Sequence, residues 1–297
     1  MEKDLLKEKE RIIEFIKEKL KEDEKDGFVI GVSGGIDSAV TLYLLNDAVG
    51  KEKILALILP ELDTEPSSVK IAKNLVKSLG ISYKVISLTK CLFLLGIYQT
   101  LPLFLFPFRP LKRKTVRRFY ESYSKRLHEP VFFAQKRRLK ERLPFYYEGM
   151  AYYRIKHRLR MAILYFYAEK KNFLVAGCTN LTEDIIGYYV KYGDDSSDIA
   201  PISHLYKSEV RELAKILSIP DEILNRPPSP DLLPGISDEF SLGIDYETLD
   251  KILMEIEEGR KREEIEERFG KDFVGLVFEQ IDWVKREKER PYRISRL

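Results

Sequence analysis

The chain has 297 residues, with 51 Lys+Arg against 48 Asp+Glu, a net charge of +3 and 44% hydrophobic residues. That length suits one large domain, or a domain with an insertion, and the apolar share can bury a sizeable core. A start of Met1-Glu2-Lys3-Asp4 is too charged for a secretory leader, and Cys91 and Cys178 are too far apart in sequence to form a metal-spacing motif. A reducing, cytoplasmic compartment is the expectation.

Residues 2–22 carry Leu5, Leu6, Ile12, Ile13, Ile16 and Leu20 at helical spacing, which predicts an amphipathic helix packed on the core. An apolar run over 28–32 then stops at Ser33-Gly34-Gly35, and a helical pattern restarts over 37–48. Strand, glycine loop and helix N-terminus together favour an anion: glycines let the backbone approach it, and the first N–H groups of a helix lack intrahelical partners. Ser33 and Ser38 add hydroxyls, and Asp37, which would repel a phosphate by itself, suggests an intervening cation. A βα turn without a ligand is the alternative reading of the spacing alone. Residues 54–59 are continuously apolar, as in a buried parallel strand; 66–79 predict a helix closed by Gly80, and 83–88 a third strand. The order predicts a doubly wound α/β sheet, whose ligands bind beyond the carboxyl ends of the strands, where residues 33–38 lie.

The pattern breaks at residue 91. Residues 91–108 contain no charge, and residues 109–160 hold 17 Lys+Arg against 4 Asp+Glu, leaving 34 against 44 for the remainder. A basic block in an acidic body suggests an anionic partner. Pro102, Pro107, Gln99 and Thr100 argue against a membrane-spanning helix, so 91–153 is read as an insertion that is buried, forms a subunit interface or makes a shallow membrane contact. Helix 151–171, strand 172–177, helix 180–189, loop 193–198 and helix 207–217 resume the fold, and 246–258, 261–269 and 271–289 predict a helical C-terminal region.

Ser33-Gly34-Gly35-Ile36-Asp37-Ser38 after a strand resembles the PP-loop of the N-type ATP pyrophosphatases, which cleave ATP between the α and β phosphates. Within that superfamily the later segments resemble ammonia-dependent NAD synthetases, in the same order. They are Arg154-Ile155-Lys156-His157-Arg158-Leu159-Arg160-Met161, Gly177-Cys178-Thr179-Asn180-Leu181-Thr182-Glu183, Gly187-Tyr188-Tyr189-Val190-Lys191-Tyr192-Gly193-Asp194 and Pro201-Ile202 through Lys207, then Pro227-Pro228-Ser229. The resemblance implies ATP contacts from Ser33, Gly34, Gly35, Asp37, Ser38, Cys178, Lys207 and Ser229. It implies contacts to a deamido acid substrate from Arg158, Lys191 and Asp198. Magnesium would be held by Asp37 and Glu183, and Asp37, Lys191 and Lys207 would carry the catalysis. It further implies ATP and Mg2+ as co-substrate and cofactor, a small-molecule acid and ammonia as partners, and a homodimer. No glutaminase segment is recognisable, so ammonia would arrive free or from a partner. The whole of 1–297 would then be one PP-loop domain, with a helical, basic and aromatic insertion at about 91–153 and the helical region at about 246–297.

The chain also departs from the family pattern. Tyr153-Arg154 stands where the family has Gly-Asn, Cys178 replaces a threonine, Asp195-Ser196 replaces Gly-Gly, and a C-terminal His-Lys-Arg is missing. These changes leave two enzymatic alternatives: a PP-loop paralogue acting on a different acid, or a tRNA-modifying enzyme using the basic block with Phe119, Tyr120, Tyr123, Phe132 and Phe133 to stack bases. RNA or membrane-surface contact is the less favoured reading, DNA binding is not expected, and a nucleotide-binding protein without activity is the non-enzymatic alternative.

Overall fold

A computed structural model describes residues 4–101, 108–136, 143, 145–227 and 234–289. Among them four strands, β1 (Gly27–Gly31), β2 (Ile54–Ile58), β3 (Ser82–Val85) and β4 (Phe173–Ala176), form one parallel sheet in the order β3-β2-β1-β4. Alternation along the strands assigns their side chains to two cores. Phe28, Ile30, Ile54, Ala56, Ile58, Leu174 and Ala176 face one, while Val29, Leu55, Leu57 and Val175 face the other. Helices α1 (Leu5–Glu22), α2 (Ile36–Val49), α3 (Pro66–Ser78), α8 (Lys207–Ile216) and the short α9 (Asp221–Leu224) cover the first face; α4 (Thr89–Leu94), α5 (Arg109–Leu127) and α6 (Tyr146–Lys171) cover the second. Both faces of β1 and β2 are therefore dry, which is why these strands read as unbroken apolar runs.

A third core lies beside the sheet. It joins α7 (Leu181–Ile186), α10 (Asp238–Leu242), α11 (Tyr246–Glu257), α12 (Arg262–Phe269) and α13 (Lys271–Lys288). Phe132 and Phe133 belong to it, at 4% and 0% exposure, and Tyr120 bonds Ser241 at 2.8 Å. Three of the aromatics considered for base stacking therefore pack into the protein instead. The expected helix over 180–189 is shorter, because Gly187 adopts φ +71° and caps α7 after Ile186. The charge-free stretch is several short pieces, α4 and a 3-10 turn at Ile97–Gln99, and residues 102–107 lie outside the described set. The basic block contains a 19-residue helix, α5, as a helical insertion requires. Among the described residues no helix is long and apolar enough to cross a membrane.

Candidate active site

In the strand order β3-β2-β1-β4 the chain leaves β1 towards β2 on one side and pairs β1 with β4 on the other. The switch point between β1 and β4 opens a crevice at their carboxyl ends, the place where open α/β sheets bind ligands. A cavity of about 280 Å³ sits there. The loop after β1 supplies Ser33, Gly35, Asp37 and Ser38 to its wall, the segment after β4 supplies Cys178 and Glu183, and α8 supplies Lys207.

The loop is held open by its own polar groups. Ser38 Oγ accepts from the Ser33 N–H at 3.3 Å and donates to the Gly35 carbonyl at 3.0 Å, and Gly35 N–H donates to Ser33 Oγ at 3.1 Å. Gly34 has φ +83°, and a Cβ there would stand 2.6 Å from the Ser68 carbonyl oxygen, so the turn requires glycine. Arg226 donates to the Gly34 carbonyl at 3.2 Å and to Ser68 Oγ, tying the loop to α3. Gly35 is the N-cap of α2 and has no side-chain cap, so the first N–H groups of that helix are left to a ligand.

Lys207 is the centre of the charge arrangement. It is 1% exposed, and its ammonium lies 2.5 Å from Asp37 Oδ2 and 3.3 Å from Glu183 Oε1. Burial opposes its charge, but Asp37, Glu183 and Asp238 outweigh that and hold its pKa above the usual lysine value. Burial pushes the Glu183 carboxyl up to about 8, against the pull of Lys207 and with Asp37 and Asp238 adding to the rise. Asp238 is likewise pushed up to about 6, chiefly by burial; Tyr246 donates to its Oδ2 at 3.1 Å and Tyr188 to its Oδ1 at 3.3 Å. Three carboxyl groups thus crowd one buried ammonium, and the rise in two of them marks a site whose ionised form a divalent cation would stabilise. Among the described residues no group of three ligands forms a complete metal cage. Two carboxylates with room for phosphate and water oxygens suit magnesium, which keeps much of its shell outside the protein.

Asn180 and Asp238 complete this cluster and were not singled out from the sequence. Asn180 donates to Asp37 Oδ1 at 3.0 Å, while its own Oδ1 accepts from the Glu183 N–H at 3.0 Å as the N-cap of α7. Its Asn-x-x-Glu spacing is a legible capping box. Asp238 had no comparable signal. Helix α11 supports the site from behind, through Asp250. Its carboxylate accepts from Thr182 Oγ1 at 2.5 Å and from the Ser208 N–H at 2.7 Å, and Thr182 Oγ1 accepts from the Lys207 N–H at 2.9 Å. One buried acid thereby fixes the start of α8 against α7, and with it the spacing of Lys207 and Glu183. Asp250→Ala should lower stability by about 2–3 kcal/mol, the scale of buried hydrogen bonds to a charged group, and reduce kcat through displacement of Lys207. Thermal melts and initial rates would check both effects.

The remaining candidates divide. The Cys178 thiol lines the cleft, and burial with the nearby carboxylates pushes it up to about 12, so it is a neutral thiol rather than a nucleophile. His157 also lines the cleft, and burial beside Arg160 and Lys156 keeps it neutral. Arg158, Lys191 and Asp198 are not among the lining residues. Arg158 donates to the Lys191 carbonyl at 3.3 Å, and the Lys191 ammonium to the Glu287 carbonyl near the end of α13. Asp198 accepts from the Val175 N–H at 2.7 Å and from Tyr165 at 3.2 Å, which braces β4. Ser229 lies outside the described residues.

A parallel sheet with a glycine loop, a helix N-terminus and a carboxylate-bound lysine at its switch point defines a nucleotide-binding α/β protein of the PP-loop class. The chain belongs to the NAD synthase family, whose model matches residues 8–96 and 121–289. It is a ligase of that family, with ATP as co-substrate and ammonia and a small-molecule acid as partners. It is 55% identical over 291 residues to an NH(3)-dependent NAD(+) synthetase of Coprothermobacter proteolyticus, covering 98% of each chain. It is 46% identical over 249 residues to one of Thermotoga maritima, covering 84% of this chain and 86% of that one. An NMN synthetase structure from Francisella tularensis matches with a TM-score of 0.68 at 25% identity, covering 99% of both chains.

Proposed function

We propose that this chain forms NAD from its deamido acid, ATP and ammonia, and that the reaction runs in the cleft between β1 and β4. The observation that carries the reading is the buried Lys207 ammonium shared by Asp37 of the phosphate loop and Glu183 of the segment after β4. The triphosphate of ATP lies on the loop, with the N–H groups at the start of α2 holding the β and γ phosphates. A carboxylate oxygen of the acid attacks the α-phosphorus, the bond from that phosphorus to the α–β bridging oxygen breaks, and pyrophosphate leaves. Ammonia then attacks the acyl carbon of the adenylate; AMP departs and the nitrogen gives up a proton. Negative charge accumulates at the phosphates throughout, so a desolvated cation fixed in advance, Lys207, contributes more than any proton-transfer group.

Asp37 and Glu183 are the residues that would hold magnesium, which when bound neutralises phosphate charge and assists departure of pyrophosphate. Arg158 and Lys191 remain the contacts proposed for the acid substrate, outside the cleft lining, and Ser229 a contact proposed for ATP. A homodimer in the cytoplasm fits the family, and the exposed apolar turn Phe93-Leu94-Leu95, 59–84% accessible, supports self-association. The test is a reaction with ATP, magnesium, ammonium and deamido-NAD. NAD, AMP and pyrophosphate should appear in equal amounts, with the corresponding mononucleotide acid a much poorer substrate. No amide from either acid would sink the reading, and amide from the mononucleotide alone would reassign the substrate.

A further inference from the structure

The connection leaving β2 forms one side of the cleft through Leu59, Pro60 and Thr64. None of its three acids, Glu61, Asp63 and Glu65, lines the cleft. Glu61 and Asp63 are 5% and 6% exposed and run into a buried charge network. Lys156 of α6, fully buried, reaches Asp63 Oδ2 at 2.8 Å and Glu61 Oε1 at 3.2 Å. Lys112 of α5 reaches Asp63 Oδ1 at 2.6 Å. Tyr98 donates to Glu61 at 2.8 Å, and Tyr152 donates to Asp63. Two acids and two lysines make the network neutral, so the removal of any one member leaves a charge in a site that cannot solvate it.

The same turn of α5 holds the connection at further points. Arg109 donates to the Thr64 carbonyl at 3.2 Å and the Leu62 carbonyl at 3.4 Å, and Arg113 pairs with Glu65, the residue before α3, at 2.5 Å. Three cations within five residues thus grip a six-residue loop whose other side is the cleft wall. Residues 97–120, which contain this turn, fall between the two stretches matched by the family model.

We infer that the first turn of α5 is a positioning element for the nucleotide site: Arg109, Lys112 and Arg113 fix the 60–65 connection so that Leu59, Pro60 and Thr64 keep the shape ATP requires. The inference rests on the reading that ATP occupies this cleft. Part of the basic block thereby has an anionic partner within the chain, the acids of its own loop.

The test is a cycle of Lys112→Met, Asp63→Asn and the double variant, with Arg109→Ala as a fourth protein whose altered side chain is 45% exposed and whose loss spares the core. Each buried single variant leaves one unmatched charge, negative in the first and positive in the second. The double variant leaves Glu61 and Lys156 matched. KM for ATP should rise about tenfold in each buried single, about threefold in Arg109→Ala, and recover to within about threefold of wild type in the double. The value of kcat and KM for the acid should stay within about twofold throughout. An unchanged KM for ATP in Arg109→Ala, a fall in kcat at constant KM, or losses that add in the double would overturn it. ATP affinity from calorimetry on the same proteins gives the answer without turnover, so an inactive wild type that binds ATP would count against the proposed reaction and not against this role of α5.

Discussion

Lys207→Met should be the most damaging single change in the protein, lowering kcat/KM about a thousandfold and stability by about 3–5 kcal/mol. Methionine fills much of the same volume, so the loss isolates the charge. Lys207 is buried and supplies the cation shared by Asp37 and Glu183 and felt by Asp238. Without it three acids face one another in a desolvated pocket. The remedy available to the variant is protonation, which sets the sign of its pH dependence. Glu183 and Asp238 already have folded pKa values, about 8 and about 6, raised above those of free carboxyls. A raised acid contributes stability that is fully present below its unfolded pKa and lost as pH rises through its folded value. The melting temperature of Lys207→Met should therefore climb as pH falls from 8 towards 5, more steeply than that of wild type. Calorimetry across that range measures it, and a flat profile would show that the lysine does not hold these charges.

Asp37→Asn should have the second largest effect. The substitution keeps the shape and one carbonyl oxygen, yet no orientation of the amide satisfies both neighbours. With its oxygen towards Asn180, the new NH2 faces the Lys207 ammonium; turned the other way, it faces the Asn180 donor. Pyrophosphate release should fall at least about a hundredfold, and the magnesium concentration for half-maximal rate should rise, because one anionic oxygen ligand is gone. Stability should drop far less than in Lys207→Met, since Asp37 is one-fifth exposed and its replacement leaves the lysine with Glu183. Release within threefold of wild type would remove Asp37 from the metal assignment.

The two variants separate what was legible in the residues from what was not. Asp37 announces itself: an acid one position inside a helix that follows Ser-Gly-Gly is conspicuous beside a phosphate site, and the apolar runs on either side place that loop at a strand's end. Asn180 and Glu183 are legible as a capping box, though not as neighbours of Asp37. Lys207 has the composition of an ordinary surface lysine, and only the resemblance to a known family marked it. Asp238 and Asp250 carry no local mark, because their positions follow from packing of the C-terminal helices against α7 and α8. The same holds for Glu61, Asp63, Lys112 and Lys156. Nothing local in the sequence marks them as buried, and the fold buries all four.

The amino-acid sequence alone determined the parallel strands, the glycine loop between β1 and α2, and the residue types able to meet phosphate there. These are set by periodicity and backbone freedom within a few residues, so local reading recovers them. The tertiary structure alone decided which charges lose their water and which partner each then finds. Desolvation and Coulomb attraction depend on distance in space, and Lys207 meets Asp37 across 170 residues of chain. The same folding step withdrew Phe132 and Phe133 from the surface and bound part of the basic block of α5 to the acids beside the cleft.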